Sequence, residues 1–247
     1  MKISIASYSF HGLLREGQID LFGYLESCRY RYHLDTADIW DGMLVSIGDE
    51  HLAKVKDALD ERELALVNLC VDETHIWEEA PDARQANHRL ALEYLHAAEA
   101  LGARTLRIDA GGSGESFTEE QFDWVVKQYK GYAQRAYDSG FRVGPENHRG
   151  PEVVPENMLR ICKAVDHPGY GVLLHFKNGG DRLIAPWAMH THLSWQVVEN
   201  RLEECLTMLR EVGYSGYWGV EHHSGENEYA RVAVQFARLR ELLVRWY

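Results

Sequence analysis

At residues 143–149 the chain sets Glu146, Asn147, His148 and Arg149 in a row, just after the apolar run 141–145. A carboxylate, an amide, an imidazole and a guanidinium therefore stand where a strand gives way to a loop, which is where α/β proteins build active sites. Three later apolar runs end in the same manner, at His175, at His190 and His192, and at Glu221. His190 and His192 are two residues apart, so they share one face of a strand, with His192 nearer its end. Two carboxylates and two imidazoles make a mixed nitrogen and oxygen donor set. Such a set suits Zn, Mn, Fe or Co better than Ca, which takes oxygens alone. A divalent ion can polarise a carbonyl, and two flanking carboxylates can move a proton on and off the adjacent carbon. Each residue also has a plainer reading. A lone strand histidine is most often a hydrogen-bonded core residue, and a lone strand-end glutamate a helix cap or ion-pair partner. The coincidence of four at successive strand ends favours a site.

The elements that must position these residues are legible in the hydrophobic pattern. Strands are expected at 2–6, 34–40, 65–71, 104–109, 141–145, 170–176, 188–194 and 217–221. Helices are expected at 19–32, 49–61, 81–101, 118–139, 157–166, 200–212 and 228–245, with room for about one turn at 181–185. Pro81 suits a first helical turn and Gly102 a helix stop. Thr118 and Gln121 have capping-box spacing. Eight strands, nearly all followed by helices, imply a parallel sheet covered by helices. Within 247 residues they match an α/β fold of the closed (β/α)8 TIM barrel type, as a single domain over residues 1–247. A doubly wound open sheet is the alternative, and the first strand exit lacks the glycine fingerprint expected there. In a barrel all strand ends meet at one mouth, so the four residues converge.

The bulk numbers narrow the function. Twenty-six basic and 38 acidic residues give a net charge of −12, which argues against nucleic acid as a partner. Cys28, Cys70, Cys162 and Cys205 are scattered without metal-ligand spacing and read as reduced thiols of a cytoplasmic protein. No opening signal-peptide pattern and no apolar run of about 18 residues is seen, so no membrane partner is expected. The loop Gly111 to Gly114 follows a strand but lacks a phosphate-binding spacing, and reads as a tight loop.

With these segments in order, the chain resembles the xylose isomerase-like TIM barrel superfamily of sugar isomerases and epimerases, keto-inositol dehydratases and an endonuclease branch. The resemblance covers nearly the whole length. It rests on residues 5–10, Asp38 to Trp40, residues 101–107, Pro145 to His148, Gly171 to Asn178, His190 to His192, and Gly219 to Glu221. It implies one divalent metal ion, with Zn, Mn or Co foremost, held by Glu146, His175, His192 and Glu221. Glu146 and Glu221 would double as the acid/base pair, and Glu152, six residues after Glu146, would join the site. Asn178 falls where relatives carry a substrate-binding histidine. Two departures stand out: His175 replaces an aspartate, and Ser194 stands where many relatives carry a lysine. Homodimers are common in that family.

The aromatic residues Tyr8, Trp40 and Trp195 are candidates to wall a sugar. Arg149, Lys177 and Arg182 are candidates to neutralise an anionic group, with His190 a further substrate contact. The expected function is a divalent-metal-dependent isomerase or epimerase of a small sugar or hydroxy-ketone. A dehydratase on the same scaffold is the alternative, with His148 as the acid for the leaving hydroxyl. A non-catalytic sugar-binding barrel is the third reading.

Overall fold

A computed structural model describes residues 1–176 and 180–246. Eight strands alternate with helices along the chain: β1 Ile3–Ile5, α1 His11–Arg15, α2 Leu21–Glu26, β2 Thr36–Trp40, α3 Asp49–Glu61, β3 Ala65–Trp77, α4 Pro81–Leu101, β4 Thr105–Gly111, α5 Glu119–Asp138 and β5 Arg142–Gly144, then α6 Pro155–Val165, β6 Val172–His175, α7 Asp181–Ile184, β7 Ala188–Leu193, α8 Trp195–Asn200, α9 Leu202–Glu211, β8 Trp218–Val220 and α10 Glu228–Val244. All strand pairs are parallel. They form two four-stranded arcs, β2-β3-β4-β5 and β1-β8-β7-β6. Single parallel bridges close the arcs into a barrel: Ala6 with Asp38 on one side, Val143 with Tyr170 and Glu146 with Leu173 on the other.

Tyr24 spans the first of these seams. Its hydroxyl donates to Ile5 O at 2.6 Å and accepts from Asp38 N at 2.8 Å, so a side chain replaces ladder bonds that the strands do not make there. Asn147 does the same at the second seam. Its amide donates to His175 O at 2.9 Å and accepts from His175 N at 2.7 Å.

The helices bury the faces that their periodicity predicts. On α4 these are Ala91, Tyr94, Leu95, Ala98 and Leu101, and Gly102 ends the helix at φ 68°. The capping box of α5 is complete: Thr118 Oγ1 accepts from Gln121 N and Gln121 Oε1 accepts from Thr118 N. Three boundaries differ from expectation. β3 runs on to Trp77, because a register shift between Val71 and His75 lets it pair with the end of β4. The expected helix over 19–32 is α2 followed by a π-helical turn at Ser27–Arg31. The segment after β7 is helical at once, because Ser194 Oγ accepts from Val197 N and caps α8. No described helix is long and apolar enough to cross a membrane, and the four cysteines are free and buried.

Candidate active site

Register brings the expected residues together. His175 on β6 pairs directly with His192 on β7, and His192 lies opposite Gly219 on β8, two residues before Glu221. A Cβ on Gly219 would collide with Thr191 O and come within 3.1 Å of both His190 Nε2 and His192 Cδ2, so only glycine leaves room for this pair of imidazoles. Glu146 enters from the bridge to Leu173. Gln235 of α10 fixes the far side from behind, donating to Leu193 O at 3.1 Å and Glu221 O at 3.0 Å.

The four donor groups form a ring. His175 Nδ1 lies 2.9 Å from Glu146 Oε1 and 3.7 Å from Glu221 Oε2. His192 Nδ1 lies 3.8 Å from Glu146 Oε1 and 3.3 Å from Glu221 Oε1. Ligand atoms about 2.0–2.2 Å from a tetrahedral ion stand roughly 3.3–3.6 Å apart, and the separations of 2.9 to 3.8 Å here bracket that spacing, so modest side-chain shifts would gather these groups about one small divalent ion. His192 Nδ1 is buried and without a hydrogen-bond partner among the described residues, an orphan that a ligand role would satisfy. All four residues line one cavity at the barrel mouth.

Charge in the cavity is finely opposed. Burial pushes the Glu146 carboxyl up, but His148, the bond from His175, His192 and Arg107 outweigh it and hold it well below the usual carboxylate range. Burial also opposes ionisation of Glu221, and His192, His223 and His175 reverse the balance, leaving it well below that range. His192 is pushed the other way. Burial disfavours its charge, yet Glu221 and Asp38 together raise it well above an ordinary histidine.

The other expected contacts divide. His148 lines the cavity, with Nδ1 3.4 Å from Glu146 Oε2. Trp40 lines it too, donating from Nε1 to Asp72 Oδ2 at 3.0 Å, with Tyr8 edge-on at 5.1 Å. Arg149 sits at the rim, largely exposed, 3.6 Å from Asp72. Glu152 is buried beside the cavity in an adjoining recess, where Oε1 accepts from Ala110 N at 2.8 Å. Burial and the neighbouring Asp109 raise its pKa well above the usual value.

His190 is a correction. It is fully buried behind the cavity, bonded through Nε2 to Asp38 Oδ2 at 2.7 Å, and is not among the residues lining the cavity. Its strand face is right, but one pleat further in is already core. Trp195 begins α8 and packs against Arg231 on the outside of the mouth. Arg182 pairs with Glu211 away from the cavity. Lys177 and Asn178 lie outside the described residues.

Arg107, His223 and Asp38 also line the cavity and are not among the site residues expected from the sequence. Arg107 is a buried guanidinium 2.8 Å from Asp72, 3.0 Å from Asp109 and 3.4 Å from Glu146. Its signal was a charged residue in the middle of an apolar strand. His223 stacks on His175 at 5.5 Å and bonds Glu221 Oε2 at 2.7 Å. Asp38 receives a hydrogen bond from Asn68 and faces both strand-seven histidines.

A family profile described as xylose isomerase-like TIM barrel matches residues 31–241. Sequence comparison with curated proteins gave no match. Among solved structures, the 3-keto-D-glucoside 4-epimerase YcjR of E. coli is 17% identical with a TM-score of 0.74, covering 98% of this chain and 99% of that one. The probable 3-DHS dehydratase AsbF of Bacillus anthracis is 16% identical with a TM-score of 0.72, covering 98% and 99%. A xylose isomerase-like TIM barrel protein from Mycobacterium smegmatis in complex with magnesium is 14% identical with a TM-score of 0.69, covering 96% and 97%. At these identities the likeness speaks for the fold. With the profile spanning most of the sequence, this chain belongs to the xylose isomerase-like TIM barrel family.

Proposed function

We propose that this protein is a divalent-metal-dependent isomerase or epimerase of a small keto-sugar or hydroxy-ketone, working by proton transfer next to a carbonyl. The observation that carries the reading is the ring of Glu146, His175, His192 and Glu221, with its orphaned His192 Nδ1. These four residues would hold the ion, which when bound would act as a Lewis acid on the substrate oxygens. Its donor set of two imidazoles and two carboxylates favours Zn, Mn or Co.

The chain's own groups supply the rest. Glu146 and Glu221 face one cavity from β5 and β8, so one carboxylate takes the proton and the other returns it. Their neighbours favour the carboxylate form of both, so each can accept a proton, and the one that returns a proton must first have taken one up from solvent or substrate. Arg107 and His148 hold Glu146 Oε2 while Oε1 faces the imidazoles. Tyr8 and Trp40 give the cavity an apolar side against which a sugar ring can lie.

A dehydratase is the second reading, favoured by His148, which stands on the cavity wall beside Glu146 where it can protonate a leaving hydroxyl. A keto-sugar panel in deuterated water separates the two. Deuterium uptake without loss of water supports isomerisation, and a new enone absorbance supports the lyase. Metal content of protein purified without chelator, beside Glu146→Ala and His175→Ala, tests the shared premise. Wild-type protein that neither carries nor takes up a transition metal rejects both readings, leaving a sugar-binding barrel.

A further inference from the structure

Behind the donor ring, and joined to it at His192, lies a second buried polar cluster. Asp38, Asn68 and His190 are each 0% exposed and His192 is 1% exposed. Asp38 Oδ2 is 2.7 Å from His190 Nε2 and 3.4 Å from His192 Nε2, and Ser4 Oγ donates to it at 3.2 Å. Asp38 Oδ1 accepts from Asn68 Nδ2 at 2.9 Å, and Asn68 Oδ1 in turn accepts from Thr105 Oγ1 at 2.8 Å. With its one proton directed to Asn68 Oδ1 rather than to Val67 O at 2.9 Å, Thr105 orients Asn68, and Asn68 claims one oxygen of Asp38, leaving the other for the imidazoles.

We propose that Asp38 is a positioning residue that keeps the Nε2 protons of His190 and His192 turned inward, so that the proton His192 gives up when an ion binds is the one on Nδ1, which then faces the cavity bare. A neutral imidazole has one donor and one acceptor nitrogen, and the partner of one fixes the role of the other. Asp38 offers an acceptor only. His192 Nε2 is buried with no hydrogen-bond partner among the described residues, and this carboxylate oxygen is the acceptor it faces. For a ligand histidine, a carboxylate behind the ring fixes tautomer and orientation. The proposal rests on the reading of His192 as a ligand only for its effect on metal affinity.

The structure also sets the outcome of a nearly isosteric change. In Asp38→Asn, Asn68 still donates to the oxygen at the Oδ1 position, so the new amide nitrogen takes the Oδ2 position. It then donates to the imidazoles and moves their protons to Nδ1, where His192 can no longer ligate. The double variant Asp38→Asn/Asn68→Asp reverses this. The carboxylate introduced at position 68 offers an acceptor to the new amide at position 38, which flips and turns its oxygen back to the histidines.

Two measurements test this. Imidazole 15N shifts in the metal-free protein read His190, with the proton on Nε2 in wild type, on Nδ1 in Asp38→Asn, and on Nε2 again in the double variant. Zinc titration against a chromophoric chelator reads His192, with affinity falling about 10- to 100-fold in Asp38→Asn and recovering in the double variant. A folded Asp38→Asn protein with the His190 proton still on Nε2 overturns the proposal. If the single variant does not fold, the charge-preserving double variant decides, and an Nδ1 proton on its His190 overturns it. A wild-type protein that takes no zinc removes the ligand reading but leaves the His190 result to judge Asp38.

Discussion

On the wall built by β3, β4 and β5, Asp72, Asp109 and Glu146 share the buried guanidinium of Arg107. On the wall built by β6, β7 and β8, the ion-pair partners of Glu221 among the described residues are imidazoles: His175, His192 and His223. Arginine never gives up its proton, so the first wall carries a permanent internal cation. Imidazoles are conditional cations and good metal ligands, so the second wall is balanced by protons when empty and by an ion when filled. The same excess of acid is thus compensated in two ways. The wall with arginine is finished, and the wall with histidines is arranged to receive something. Glu146 belongs to both, with Oε2 toward Arg107 and Oε1 toward His175.

Changes at this hinge of the two walls are expected to matter most. Glu146→Gln should lower deuterium exchange into a turned-over keto-sugar by about 10²–10⁴-fold, the usual weight of an acid/base group. An undiminished rate would remove Glu146 from the chemistry. Arg107→Met should cost about 3–5 kcal/mol in urea unfolding, because it strands buried carboxylates without their cation. A variant as stable as wild type would show that the first wall does not depend on its arginine.

Glu152→Gln reads the same wall by pH. The folded pKa of Glu152 is raised, so ionisation opposes folding. Below the ordinary carboxylate range the two proteins should be equally stable. Above it wild type loses up to about 1.4 kcal/mol per pH unit relative to the variant, until the raised pKa is passed. Parallel stability curves across pH would mean that the recess does not hold a neutral acid. On the second wall, His175→Asp should shift metal preference from Zn²⁺ toward Mg²⁺ or Mn²⁺ by roughly tenfold, about 1.4 kcal/mol. Unaltered selectivity in competition titrations would exclude His175 from the donor set.

Much of the second wall was legible in the sequence because strand periodicity carries it. Each of His175, His192 and Glu221 ends an apolar run, and barrel order alone brings such ends to one mouth. The first wall was harder to read. Arg107 lies inside its strand, and nothing in a linear pattern says that a mid-strand arginine will meet carboxylates from β3, β4 and β5. His190 shows the converse error. The two-residue repeat gives the face of a side chain but not its depth, and one pleat separates cavity from core. β3 was drawn short because its extension depends on a register shift against β4, which is a property of the pair. Trp195 stands in a recess shared with His222 and His223, because the cap supplied by Ser194 turns the chain at once into α8.

The closure of the barrel has one further consequence. The two arcs are joined by short bridges and by the side chains of Tyr24 and Asn147, and the donor ring straddles one seam: Glu146 comes from one arc, and His175, His192 and Glu221 from the other. Across the opposite seam, Asp38 reaches His190. Anything bound within the ring therefore acts as a clasp between half-barrels, and binding and closure become a single equilibrium. A ligand at 100 times its dissociation constant would add about 2.7 kcal/mol to the closed form. Slowed amide exchange should then appear first at Leu173 and His175, whose amides cross that seam to Pro145 and Asn147.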